Sequence, residues 1–259
     1  MENDREEKIK AWQETQTQWD DTDFLAQEAT FMMKKKWKRL NSMILAIIGK
    51  EVVAGNEYVN LLDIGAGRGD FYRLSQGLIK KYTGIEPSEK MLINEINGDE
   101  FILKRGTGET MDEPPCYNVC LLKEVLDHTY EPGKVISNCW KALTNNGILI
   151  ISMTNRDAFY KLIFKKRAKQ LEVEHKDHLY NFNPKEVRDL MEKAGFTVEE
   201  VRSINYLRLP KFIENIVGRL PDRLIFWKLN VIDALMSKFL PEKGGGFIIT
   251  ARKIIKGEQ

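Results

Sequence analysis

Three cysteines are too few and too irregularly placed to hold this chain together. Cys116, Cys120 and Cys139 are odd in number and form no CxxC pair. That excludes a disulfide framework and a thiolate zinc site, and predicts reduced thiols in a cytoplasmic protein. An excess of charge is also missing. The chain has 40 basic and 38 acidic residues, a net +2, so no global field draws it to nucleic acid or anionic lipid. Apolar runs are short: Met43–Ile48 (MILAII) falls far below the roughly 20 residues that cross a bilayer. The opening residues, MENDREEKIK, are charged and contain no apolar stretch, which predicts no secretory leader. No internal repeat or low-complexity segment interrupts the sequence. What remains, at 42% hydrophobic and 30% charged over 259 residues, is the composition of an ordinary globular protein.

The apolar pattern divides that chain into three parts. Residues 1–57 place apolar side chains at spacings of three and four and read as a helical cap, with Gly49 a candidate helix end. Residues 58–204, with 247–254, alternate short apolar strands with amphipathic helices. Strands are predicted at Tyr58–Ile64, Tyr82–Glu86, Glu100–Arg105, Tyr117–Leu122, Ile148–Met153, Thr197–Ser203 and Phe247–Lys253. Helices are predicted at Arg68–Lys81, Ser88–Asn97, Pro132–Leu143 and Asn183–Ala194. Such alternation builds an α/β fold, a mostly parallel sheet with helices on both faces. Its ligands bind at the carboxyl ends of the strands, near the topological switch point. Residues 205–246 break the alternation. Pro210, Pro221 and Pro241 punctuate them into three short amphipathic helices, which suit a substrate cover, a dimer surface or a peripheral membrane contact.

The first strand runs into NLLDIGAGRGDF, with Gly65, Gly67 and Gly69 at every second position. Glycine lets backbone N–H groups meet a ligand at contact distance and permits positive φ. A dinucleotide loop would read GxGxxG, one residue longer, so a nicotinamide dehydrogenase is disfavoured. Asp63 at the strand end would repel a phosphate and attract an ammonium. Glu86, nineteen residues after Gly67 at the end of the second strand, is placed to accept hydrogen bonds from ribose hydroxyls. Gly106, Thr107, Gly108 and Glu109 then form a loop able to meet a base. Amino acid, ribose and base together describe S-adenosylmethionine.

The segments VNLLDIGAGRGDF, YTGIEPSEKML, RGTGETM, YNVCLLKEVLDHTYEPGKVISNCWKALTNNGILIISMTN and HLYNFNPKEVRDLMEKAGF resemble, in order and spacing, class I S-adenosylmethionine-dependent methyltransferases. The branch they most resemble is that of ubiquinone-type and small-molecule O-methyltransferases. The resemblance implies a seven-stranded Rossmann-like sheet whose last strand is antiparallel. It implies that Asp63, Gly65, Ala66 and Gly67 hold the methionine end, Glu86 and Pro87 the ribose, and Thr107, Gly108 and Glu109 the adenine. Lys123 and Glu124 would stand at the catalytic mouth, Lys123 toward the cofactor. Thr107 departs from the pattern, since many relatives carry an acid there.

An oxygen acceptor needs its proton removed, and Glu124, His128, His175 and His178 are the candidate bases. His175 and His178 lie three apart but lack a third ligand, and methyl transfer needs no metal. The fourth strand ends in LLKEVLD, without the Asn/Asp-Pro-Pro-aromatic signature of enzymes that methylate bases or glutamine. The expected acceptor is therefore a small molecule, a glycan or a lipid-linked compound, and the expected product is S-adenosylhomocysteine. An RNA-modifying enzyme is the alternative, kept open by the basic stretch YKLIFKKRAK at Tyr160–Lys169. A cofactor-binding module without catalysis is another. The chain would act as a monomer or homodimer.

Overall fold

The computed structural model describes residues 30–53, 58–75, 77–92, 98–163, 179–209 and 211–255. Helix α1 (Phe31–Val53) precedes a sheet of seven strands. These are β1 (Val59–Ile64), β2 (Ile79–Glu86), β3 (Phe101–Arg105), β4 (Tyr117–Lys123), β5 (Leu143–Thr154), β6 (Thr197–Ile204) and β7 (Gly246–Arg252). Their order across the sheet is β3-β2-β1-β4-β5-β7-β6. All neighbouring pairs are parallel except those of β7, which runs antiparallel to both β5 and β6. The chain reverses its direction of travel between β1 and β4, so the crevice lies above Ile64 and Lys123.

Burial explains which strands are central. Leu61 and Leu62 of β1 and Val119–Leu122 of β4 are fully enclosed, as parallel strands covered on both faces must be. One face packs on α4 (Pro132–Ala142) and α6 (Pro184–Lys193) through Val135, Ile136, Val187 and Met191. Cys120 and Cys139 lie in this layer as free thiols. The other face packs on α1 through Leu40, Ile44 and Ile48, each contributing about 1.5–3 kcal/mol. α6 starts where Asn183 and Glu186 form a reciprocal capping box, and Gly195 follows its end at φ +101°.

Several expected boundaries move. Gly49 lies inside α1, which continues to Val53 because Ile47, Ile48 and Val52 still pack on the sheet. The helix after the glycine loop, α2, covers only Asp70–Leu74, since Ser75 bonds back to Phe71 and Tyr72 and Gly77 turns left-handed at φ +90°. β2 accordingly begins at Ile79. Helix α3 spans Glu89–Leu92, and the remainder of the expected Ser88–Asn97 helix falls partly outside the described residues. A short helix α5 covers Phe159–Ile163. Among the described residues, 205–246 hold two helices rather than three, α7 (Lys211–Val217) and α8 (Asp222–Phe239). Nothing between Pro221 and Pro241 breaks a helix, so one long element forms there.

α1 joins this hairpin to the sheet. Met32 packs with Ile225 and Leu229 of α8, while Leu40 and Ile44 reach the strands. Arg39 and Asp233, both buried, pair at 2.7 Å. Asp233 also accepts from the backbone N–H groups of Asn205 and Tyr206, each at 3.0 Å. Replacing Asp233 by alanine would leave a buried guanidinium without its counter-charge and two amides without an acceptor. Breaking such a pair at one end costs about 3–5 kcal/mol. Urea titration of Asp233→Ala should show that loss; an unchanged midpoint would mean the pair contributes nothing.

Candidate active site

The glycines of the first loop serve different purposes. Gly65 has φ +70° and its N–H donates to the Ile85 carbonyl at 2.8 Å. A Cβ there would lie 2.4 Å from Val125 Cγ2, so this glycine lets the loop close against the residue following Glu124. Gly69 is likewise filled in by Phe101. Gly67 differs: at φ +56°, a Cβ would meet nothing within 4 Å. It is the glycine that faces open space.

Glu86 ties that position down. Its carboxylate accepts from the Gly67 N–H through Oε2 and from the Ser88 N–H through Oε1, both at 2.9 Å. Charge-assisted bonds to backbone amides fix the acid and the loop relative to each other. Ala66 donates to the Ile85 carbonyl, and Pro87 is partly exposed beside Glu86.

Asp63 sits below the loop on the face covered by α1, where it accepts from the Tyr82 hydroxyl at 2.7 Å. Burial pushes its carboxyl up to about 6, against the Tyr82 bond and the charge of Lys123. Lys123 itself donates to Asn41 Oδ1 at 3.3 Å and stands over the Phe71 ring at 5.5 Å.

The loop after β3 is more structural than the sequence implied. Gly108 leaves no room for a side chain, with Val135 Cγ1 2.7 Å from where a Cβ would be. Asn138 Nδ2 donates to the carbonyls of Gly108 and Glu109. The Glu109 carboxylate accepts from the Tyr130 N–H at 2.7 Å, ahead of α4. Thr107 remains partly exposed and pairs with Thr110.

Beyond β4 the chain turns sharply. Glu124 has φ +55°, unfavourable for a residue with a Cβ, and its N–H donates to the Ser152 carbonyl at 2.9 Å. Burial, and then the nearby Asp127 carboxylate, raise its carboxyl to about 7. A strained backbone holding an acid that titrates near neutrality is an arrangement concentrated at functional sites. His128 ends the 3-10 turn Leu126–His128, with Nε2 4.0 Å from Asp127 Oδ1.

Glu124 opens into a cleft of about 110 Å³. One wall is the α1 face bearing Met33, Lys36, Trp37 and Leu40. Met153 and Thr154 at the end of β5 form the floor, and Tyr160, Asn205 and Arg208 close the far side. His128 does not line it. His175, His178 and the part of the basic stretch beyond Ile163 lie outside the described residues. Lys36 donates to the Leu207 carbonyl at 2.8 Å and lies 3.6 Å from Glu214; burial lowers its pKa, with Glu214 opposing. Arg208 stands over the Tyr160 ring at 5.7 Å.

Sequence reasoning missed this α1 wall. The signal was present, since positions 33, 36, 37 and 40 share one helical face, but that pattern equally describes a helix packed on a core.

Comparison with known proteins adds to this geometry. Residues 21–201 match the profile of a methyltransferase-domain family. A ubiquinone biosynthesis O-methyltransferase of Thiobacillus denitrificans is 25% identical over 162 residues, 58% of this chain and 70% of the relative. One from Nitrosomonas europaea is 25% identical over 114 residues, 41% of this chain and 48% of the relative. Among solved structures, a methyltransferase of Thermotoga maritima superimposes with a TM-score of 0.52 at 19% identity. That match covers 85% of this chain and 94% of the other.

Proposed function

We propose, from the premise that this chain belongs to the class I S-adenosylmethionine-dependent methyltransferases, that it methylates a hydroxyl of a small or lipid-linked acceptor, with Glu124 as general base. The observation that carries this is the position of Glu124. It is a half-buried acid of pKa about 7 that lines the cleft, one residue from the side chain that packs on Gly65. The nucleotide loop and the candidate base are thus neighbours.

The residues present fit the cofactor. Gly67 faces open space beside the carboxylate of Glu86, whose oxygens can each accept more than one hydrogen bond. In this reading Glu86 and Pro87 hold the ribose, and Gly65, Ala66, Gly67, Asp63 and Lys123 surround the methionine end. Thr107 borders the adenine, with Gly108 and Glu109 shaping its loop from beneath. When bound, S-adenosylmethionine supplies a methyl group activated by its sulfonium.

The chain's own work is then to position and to deprotonate. Met33, Trp37, Leu40 and Met153 offer an apolar seat for the acceptor body and exclude water. Positioning of this kind contributes about 7–11 kcal/mol in favourable cases. Glu124 takes the hydroxyl proton, and its elevated pKa makes it a stronger base than an exposed carboxylate while leaving it ionised above neutrality. The two O-methyltransferase relatives support oxygen as the target and a quinone-like aromatic as the body.

The test is incubation with S-adenosylmethionine and a panel of catechols, amines and short RNAs, with products identified by mass spectrometry. Methyl ethers of catechols, absent with Glu124→Gln, are the expected result. Methylated amines or RNA with no ether would overturn the oxygen assignment. Cofactor binding with no methylated product in any class would favour a non-catalytic module.

A further inference from the structure

The α7–α8 hairpin presents an apolar face that the fold does not use. On α8 the positions Leu224, Trp227, Val231, Leu235 and Phe239 are all exposed, Trp227 by 63% and Phe239 by 79%. Their spacing of three and four places them on one side of the helix, opposite the buried Ile225, Leu229 and Asp233. From Leu224 to Phe239 this stripe is about 22 Å long. Phe212 and Ile216 of α7, each 67% exposed, extend the same apolar character to the first arm of the hairpin. So many large exposed side chains on two adjacent helices mark an interaction surface.

Charge decides what the surface meets. Residues 211–240 contain five basic and three acidic positions. All three acids are engaged by α1 or the residue before it. Glu214 is buried and accepts from the Thr30 hydroxyl at 3.0 Å. Asp222 is held by Lys35 and Lys38, and Asp233 pairs with Arg39. Three cations are free of such contacts with α1: Arg223, Lys228 and Lys238 are exposed and interleave with the apolar stripe, whereas Arg219 stands over the Phe31 ring of α1 at 5.3 Å. The outward face of this hairpin is therefore apolar and basic, with its acids turned inward.

We propose that this hairpin docks the protein on an anionic phospholipid surface, lying in the interface with Trp227 and its apolar neighbours among the acyl chains. Arg and Lys side chains beside the stripe would reach back to lipid phosphates. The combination of an apolar helix face, a central tryptophan and interleaved cations is that of an interfacial amphipathic helix. A second copy of the chain is the poorer occupant. A two-fold contact through this face would bring cations toward cations with no acid of the hairpin to answer them. The helix is not a span: no described helix is long and apolar enough to cross a membrane. Docking also suits the cleft, because Leu207, bonded to Lys36, and Arg208 at the cleft edge lie just before α7.

Flotation of the full chain with vesicles tests this without any methyl transfer, so it does not depend on the acceptor. The vesicles are pure phosphatidylcholine or two parts phosphatidylcholine to one part phosphatidylglycerol. The wild type should float with the mixed vesicles, weakly with pure phosphatidylcholine, and less as salt rises. Trp227→Glu with Leu235→Glu should lower the bound fraction at least about tenfold, while S-adenosylhomocysteine binding and the circular dichroism spectrum stay unchanged. If that variant misfolds, Arg223→Gln with Lys228→Gln should lose the preference for phosphatidylglycerol. Absence of flotation by the wild type overturns the proposal, as does equal flotation by folded variants. A wild-type dimer by light scattering that becomes a monomer in the Trp227 and Leu235 variant, without flotation, assigns the face to self-association instead.

Discussion

Replacing Glu86 by alanine is expected to lower affinity for S-adenosylhomocysteine about 100-fold or more, with catalysis lost in proportion. The carboxylate makes two charge-assisted bonds, to Gly67 N–H and Ser88 N–H, both at 2.9 Å. Bonds to charged groups contribute about 1.5–3 kcal/mol each, and 1.4 kcal/mol is tenfold in a binding constant. Alanine removes the proposed ribose acceptor and frees the loop glycine that faces open space. Glu86→Gln separates these effects. An amide retains one acceptor oxygen but must turn its NH2 toward one of two donors, so it should bind between the wild type and alanine. Isothermal titration with S-adenosylhomocysteine measures all three, and NAD serves as a ligand that should bind none. Unchanged affinity in Glu86→Ala would remove the ribose from this site.

The parts of the fold governed by local pattern were legible in the sequence. β1 and β4 are continuous apolar runs because parallel central strands are covered on both faces. The capping box at Asn183 and the stop at Gly195 could be read residue by residue. Gly49 was misread because a helix-breaking residue is overruled when the flanking Ile48 and Val52 are anchored on the sheet. The glycine loop was recognisable, but not the division of labour within it. That Gly65 is filled by Val125 while Gly67 is open follows from where β4 ends, which no local pattern states. The cleft was the least legible part. Lys36, Glu124 and Arg208 are far apart in sequence and meet because α1, β4 and the segment after β6 converge at one end of the sheet. Glu124 could be nominated from its place after the fourth strand. Its proton affinity, set by burial and Asp127, could not.

Replacing Glu124 by glutamine should lower kcat about 10²–10⁴-fold, the usual contribution of a general base, while affinity for S-adenosylhomocysteine stays near that of the wild type. The pH dependence identifies the group. A base must be deprotonated to act, so wild-type kcat/KM should rise about tenfold per pH unit up to about 7 and level off above it. The glutamine variant should lack that limb. Asp127 raises the Glu124 pKa, so Asp127→Asn should move the limb to lower pH without abolishing it. Stability gives an independent sign. The carboxyl ordinarily titrates at 4.5 and is raised to about 7 in the fold. The folded state therefore holds the proton more tightly than the unfolded chain, and its contribution declines as pH rises between those values. Glu124→Gln removes that decline, so its melting temperature relative to wild type should be higher at pH 8 than at pH 4. The same acid would then cost stability at the pH where it acts, a conflict expected of a working site and not of a packing residue. A variant that keeps wild-type turnover and the limb near pH 7 would assign the proton transfer to another group.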